Sequence, residues 1–248
     1  MPRFKCTLEY DGTPYAGWQW QDDQPSAQGA LEAAIRAFTQ EQVRVQCAGR
    51  TDAGVHATGQ VVHFDITKPR TTHQVAEGLN FYLIQADETV RVLACEQVND
   101  DFHARFSAIE RRYLYRLINR RAPLALDVGR AWHVGWPLDV DAMREAAALL
   151  LGKHDFTSLR ATSCQAQSPV KTLDRLDIEA HGDEIRFYVE ARSFLHHQVR
   201  NIVGTLEAVG SGKFLAQDIP NILAAKNRSA AGQTAPACGL YLVGVGYD

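Results

Sequence analysis

The sequence predicts an α+β fold of two β-α-β-β-α-β halves, ferredoxin-like in plan, whose strands form a mainly antiparallel sheet with helices packed on it. Three observations carry that expectation. Several short runs alternate apolar and polar residues, other stretches repeat apolar residues at helical spacing, and the resulting order of elements is traversed twice in 248 residues. No Gly, Ser or Pro linker separates the two passes, so the halves, residues 1–105 and 106–248, are expected to share an interface with a central cleft suited to a ligand.

The first pass opens with RFKCTLE (3–9), which alternates like a strand. A turn-rich stretch from Asp11 follows, and a helix is expected from near Ser26, with Ala27, Leu31, Ala34, Ile35 and Phe38 at helical spacing. Residues 43–47 and 60–66 are strand-like, 72–83 (THQVAEGLNFYL) helical, and 88–98 (ETVRVLACEQV) a strand. In the second pass RRYLYRLIN (111–119) is a strand and DVDAMREAAALLLG (139–152) a helix. VKTLDRLDIEA (170–180) and EIRFYVEARSF (184–194) form two strands turning at His181-Gly182-Asp183. HHQVRNIVGTLEAVGSG (196–212) is expected to be a helix with Val199, Ile202, Val203, Leu206 and Val209 on one face, and LYLVGVGY (240–247) a closing strand.

Composition excludes several classes. The N-terminus has no apolar leader and no long uncharged apolar run occurs, so a cytoplasmic globular protein with no membrane partner is expected. Cysteines 6, 47, 95, 164 and 238 are odd in number and lack any C-x-x-C pair, which argues for buried free thiols over a disulfide framework or a zinc site. Histidines 196 and 197, taken as adjacent helical residues, point too far apart to share an ion, and no metal or other cofactor is expected. The net charge of -3 does not suggest a nucleic-acid binder. Its cations are nonetheless 20 Arg to 6 Lys, and between His103 and Arg130 seven arginines face two carboxylates. Arginine is the cation suited to bidentate phosphate contact and stacking.

Chemistry is best sought in AGRTDAGVHATGQ (48–60), where Gly49, Gly54 and Gly59 let the main chain approach a ligand closely while Asp52 projects as nucleophile or base. Arg50, two positions earlier, would favour the ionised carboxylate if it sat close. The plainer reading of an isolated Asp-Ala-Gly is a turn. Glu9-Tyr10-Asp11-Gly12-Thr13 is similar to an aspartyl-phosphate box, but Glu9 occupies the nucleophile position, which leaves Asp11-Gly12 as turn chemistry. In RRYLYRL, Arg111, Tyr113 and Tyr115 share one strand face, a pattern that serves either a core or a base-stacking surface.

EYDGTPYAGWQWQ, GRTDAGVHATGQVVHF, RRYLYRL, LLGKHDFTSLR, FLHHQVRNIVGTL and APACGLYLVGVGYD, in this order, resemble the successive signatures of the tRNA pseudouridine synthase A family. Leu159 stands where an aromatic residue is expected. The resemblance implies the pseudouridine synthase fold and an isomerase that converts uridine to pseudouridine in the anticodon stem-loop of tRNA, without redox cofactor, energy source or metal. It implies Asp52 as the catalytic carboxylate, Tyr113 as the residue stacking on the target base, Arg200 as an active-site arginine expected to pair with Asp52, and Leu240 as part of an apolar wall. Arg50 is assigned to holding the gap left by an extruded base, and a homodimer is usual for the family. The alternatives weighed are a non-catalytic tandem RNA-binding protein, for which no RRM signature is found, and a small-molecule hydrolase using Asp52.

Overall fold

The computed structural model describes all residues, 1–248. The chain divides into two compact units, Met1–Ile109 with Tyr241–Asp248, and Glu110–Leu240. The elements in chain order are β1 (Arg3–Tyr10), α1 (Ala27–Thr39), β2 (Gln46–Cys47), β3 (His56–Asp65), α2 (Thr72–Gln85) and β4 (Val90–Val98). They continue with β5 (Ala108–Asn119), β6 (Trp132–Val134), α3 (Val140–Ala148), β7 (Gly152–Asp155), β8 (Val170–Leu173) and β9 (Arg175–His181). The last are β10 (Glu184–Ala191), α4 (Gln198–Gly210), α5 (Ile219–Ala224) and β11 (Leu240–Tyr247). The fold is α+β with mainly antiparallel strands and helices on them, as the sequence predicts. No helix is long and apolar enough to cross a membrane.

In the first unit β1 lies between β3 and β4, antiparallel to both. Its alternation buries Phe4, Cys6, Leu8 and Tyr10. Beside β4 pack α1, started by the Ser26 hydroxyl accepting from Gly29 N–H, and α2, closed at its start by a reciprocal Thr71–Gln74 cap; the two helices also pack on each other. Two boundaries differ from expectation. Only Gln46–Cys47 of the expected 43–47 strand pairs, and β3 begins at His56, four residues before the expected start. Nearly all of β3 is buried, so no alternation marks where it begins. β11 lies parallel to β3 here, through Tyr241 opposite His56 and Leu242 opposite Ala57.

In the second unit β10 runs antiparallel between β5 and β9. Gly182, at φ +61, makes the β9–β10 turn where the sequence places it. The expected strand over 170–180 breaks at Asp174: β8 leaves to pair with β7 as a separate two-stranded sheet, while β9 stays beside β10. The helix over 196–212 begins only at Gln198, and its burial is not confined to one face. Every residue of α4 is buried except Arg200. Its polar groups are largely satisfied internally: the Thr205 hydroxyl donates to Asn201 O, and Asn201 Oδ1 accepts from Arg228 Nη2 and the Thr234 hydroxyl, while Asn201 Nδ2 is buried without a partner. Glu207 Oε1 accepts from Trp136 Nε1 at 3.0 Å.

The five cysteines are free, but only Cys6 is fully buried; the others are partly exposed. Cys6 and Cys95, distant in sequence, lie opposite one another across β1 and β4. Proximity to Cys95, then burial, raises the Cys6 thiol well above its ordinary value.

Candidate active site

The Asp52 segment in the first unit is a turn with a specified backbone. Asp52 O accepts from Val55 N–H at 3.1 Å, and Gly54 sits at φ +74, the value that the third residue of a type II turn requires. Asp52 itself is half-buried, at the lip of this turn. The loop is held from behind by the segment after β1. Trp18 N–H donates to Thr51 O at 3.0 Å, and Gly54 N–H to Tyr15 O at 3.4 Å. The Tyr10 and Thr51 hydroxyls are 2.8 Å apart in the interior. Gln60, fully buried, donates to Gly49 O at 2.8 Å and to Tyr10 Oη at 3.3 Å.

Gly12 shows how close this brace comes, because a Cβ there would lie 2.0 Å from Val55 O. Its N–H donates to His56 Nδ1 at 3.0 Å. That bond makes Nδ1 an acceptor, so the 3.2 Å approach of Asp11 Oδ1 to the same nitrogen is not a donated hydrogen bond of the neutral ring. Asp11 Oδ1 instead accepts from Thr13 N–H at 2.9 Å, the turn chemistry expected for Asp11-Gly12. Arg50 is exposed and makes no ion pair, with Asp52 or any other carboxylate.

In the second unit burial separates the two tyrosines of β5. Tyr115 is fully buried, its hydroxyl donating to Pro236 O at 2.8 Å, and burial raises that hydroxyl well above its ordinary value. Tyr113 remains half-exposed and packs edge-on against Phe194 at 5.2 Å. Tyr115 is thus a core residue, whereas Tyr113 keeps accessible ring surface. The segment before β11 ties the remaining candidates together. Arg200 Nε donates to Ala235 O at 2.8 Å, and Ala235 N–H returns a bond to Arg200 O. Leu240 is buried at the start of β11, immediately after Gly239, where a Cβ would press within 2.6 Å of the Tyr115 ring.

The Arg-rich stretch proves partly internal. Arg116 bridges Glu184 at 2.6 Å and Asp127 at 3.0 Å, Arg112 lies 3.5 Å from Glu110, and Arg120 3.7 Å from Asp183. Arg111 is buried, with Nη1 donating to Arg192 O at 2.6 Å. Histidines 196 and 197 precede α4, with His197 as its N-cap at φ 61 and the two rings 4.0 Å apart. The expectation built on adjacent helical positions therefore does not describe their geometry.

Sequence reasoning missed the brace of the Asp52 loop. Tyr10, Thr51 and Gln60 carry no spacing signal, since their partners lie 41 and 50 positions apart.

The family described as tRNA pseudouridine synthase matches residues 7–107 and 146–248. The tRNA pseudouridine synthase A of Rhodospirillum centenum is 58% identical over 247 residues, covering 100% of both chains. That of Brucella ovis is 56% identical over 247 residues, covering 100% of this chain and 98% of the relative.

Proposed function

Because the chain belongs to the tRNA pseudouridine synthase family, we propose that it isomerises uridine to pseudouridine in the anticodon stem-loop of tRNA. The observation that carries this reading to particular atoms is the Asp52 turn. A carboxylate stands at the lip of a loop whose backbone is fixed by Gly54 and braced through Thr51. Such pre-positioning is what a reaction at a single nucleoside carbon needs.

The reaction breaks the C1'–N1 glycosidic bond, turns the uracil, joins C5 to C1', releases the C5 proton and takes up a proton at N1. Atoms balance without oxidant, reductant or energy donor. Asp52 acts as the catalytic carboxylate, either by attack on the sugar or the base or by taking a proton after glycosidic cleavage. Tyr113 supplies the accessible ring on which the extruded base stacks. Extrusion costs a few kcal/mol, which phosphate contacts offset. Arg200, the one residue of α4 that is not buried, serves as the active-site arginine, Leu240 lines the apolar wall, and Arg50 holds the gap in the RNA. The protein works in the cytoplasm as a homodimer, a state that sedimentation at working concentration tests directly: a monomer removes the dimer from the account.

Mapping pseudouridine on a tRNA transcript after incubation tests the substrate assignment. New pseudouridine confined to the anticodon stem-loop is the expected result, and modification elsewhere, or none, contradicts it. A passive RNA-binding protein would leave every uridine unchanged.

A further inference from the structure

Outside the residues already described, the second unit carries a cavity of about 210 Å³ lined by Lys153, Val170, Lys171, Thr172, Arg192 and Ser193. It lies against the separate β7–β8 sheet, where Lys153 is directly opposite Thr172 and His154 opposite Lys171. Alternation turns Lys153, Thr172 and Val170 to one face of that sheet and the Lys171 side chain to the other. Arg192 and Ser193 follow the last residue of β10. Their main chain is fixed from below, because the buried Arg111 guanidinium donates to Arg192 O at 2.6 Å.

No carboxylate lines the cavity. Asp155, the nearest carboxylate along β7, is engaged by Lys226 at 3.2 Å and by the Thr157 hydroxyl at 2.6 Å. Glu190, near the end of β10, is engaged by Arg175 at 2.8 Å. Lys153 and Arg192 are exposed and form no ion pair with any carboxylate of the chain. Two cations and two hydroxyls on a pinned backbone, in a space of several water volumes, match a tetrahedral oxyanion.

We propose that this cavity is a phosphate subsite, in which Lys153, Arg192, Thr172 and Ser193 hold a backbone phosphodiester of the RNA substrate away from the reacting nucleotide. The inference rests on the tRNA reading above for the source of the phosphate. An extended RNA offers phosphates at regular spacing, so a second point of attachment fixes the register in which one uridine is presented. The subsite contributes affinity and positioning and touches no reacting atom.

The test is the salt dependence of binding of an unmodified tRNA transcript to the intact protein, compared among wild type, Lys153→Gln, Arg192→Gln and the double variant. Each lost contact is expected to weaken binding and to lower the slope of log K against log salt by about 0.7 to 1. Lys153→Arg is expected to restore the slope, and unchanged circular dichroism melts to show that all variants fold. Slopes equal to wild type in both single variants and the double variant overturn the subsite. Titration with inorganic phosphate at fixed ionic strength separates the sources: saturable binding that Lys153→Gln abolishes, with no change in the tRNA slope, marks a free-phosphate site and overturns the RNA assignment. Tritium release from C5-labelled tRNA by wild type is read separately. If release fails while the slopes still fall, the subsite stands and the catalytic reading is lost.

Discussion

Among single residues, function turns on which side chains are held and which are left accessible. Tyr10 and Thr51 share a buried hydroxyl pair at 2.8 Å behind the Asp52 loop. Tyr10→Phe removes one partner and leaves the other short of a bond, a loss of about 1–3 kcal/mol measurable by denaturant titration, with lowered turnover because the loop loosens. Tyr113 and Tyr115 are distinguished by burial alone. Tyr113→Ala is expected to lower kcat/KM by roughly 10- to 100-fold, the worth of about 1–3 kcal/mol of base stacking, with little change in melting temperature. Tyr115→Phe should do the reverse, costing stability through the lost bond to Pro236 while largely sparing turnover. Equal kinetic losses at the two tyrosines would contradict the assignment.

At the scale of elements, the Asp52 turn makes its own demand. Gly54 holds φ +74, and Gly54→Ala places a Cβ in left-handed backbone at a cost of about 1–2 kcal/mol, to be read as a lower unfolding midpoint together with reduced turnover. Unchanged values for both would mean that the turn tolerates another backbone. The sequence made the main elements legible where one face is apolar: alternation in β1, the helical repeat in α1 and the Gly182 hairpin each correspond to a single-sided surface. It was silent where burial is two-sided. The start of β3 has no polar face to set a period, and in α4 the apolar repeat marked one face while the burial of Asn201, Thr205 and Glu207 off that face went unmarked. The break at Asp174 also escaped notice, because β8 and β9 are both good strand sequences and only their different partners divide them. For the site, Asp52, Tyr113 and Arg200 were marked by local motifs, whereas the Gln60–Tyr10–Thr51 brace and the Lys153–Arg192 cavity arise from long-range packing that no local pattern records.

At the scale of the whole molecule, composition is a poor guide to charge at a surface. The net charge of -3 conceals arginines consumed in internal pairs, among them Arg3 with Asp65, Arg116 with Glu184 and Asp127, and Arg175 with Asp177 and Glu190. Cations without such partners, among them Arg50, Arg121, Lys153 and Arg192, remain for phosphate. Acid sensitivity also follows from burial. His63 Nδ1 accepts from Ala104 N–H at 3.1 Å, and desolvation, with His103 and then Arg3 adding positive charge, pushes the imidazole down from 6.5 to about 4. Asp65 opposes that shift more weakly. Between those pH values the unfolded chain binds a proton that the folded chain refuses, so stability falls as pH drops from about 6.5 towards about 4. His63→Asn keeps an acceptor near Nδ1 without titrating, and its melting temperature should vary less over that window than wild type does; identical pH profiles would exclude His63 as the cause.

In the function proposed for this protein, one carboxylate, Asp52, carries the isomerisation. Its most direct test is tritium released to water from tRNA labelled at uridine C5, compared between wild type and Asp52→Asn, which keeps shape and removes charge. Release by wild type and a fall of roughly 10⁴-fold or more in the variant, with tRNA binding and melting temperature retained, is the predicted result. Comparable release by both proteins would contradict the claim.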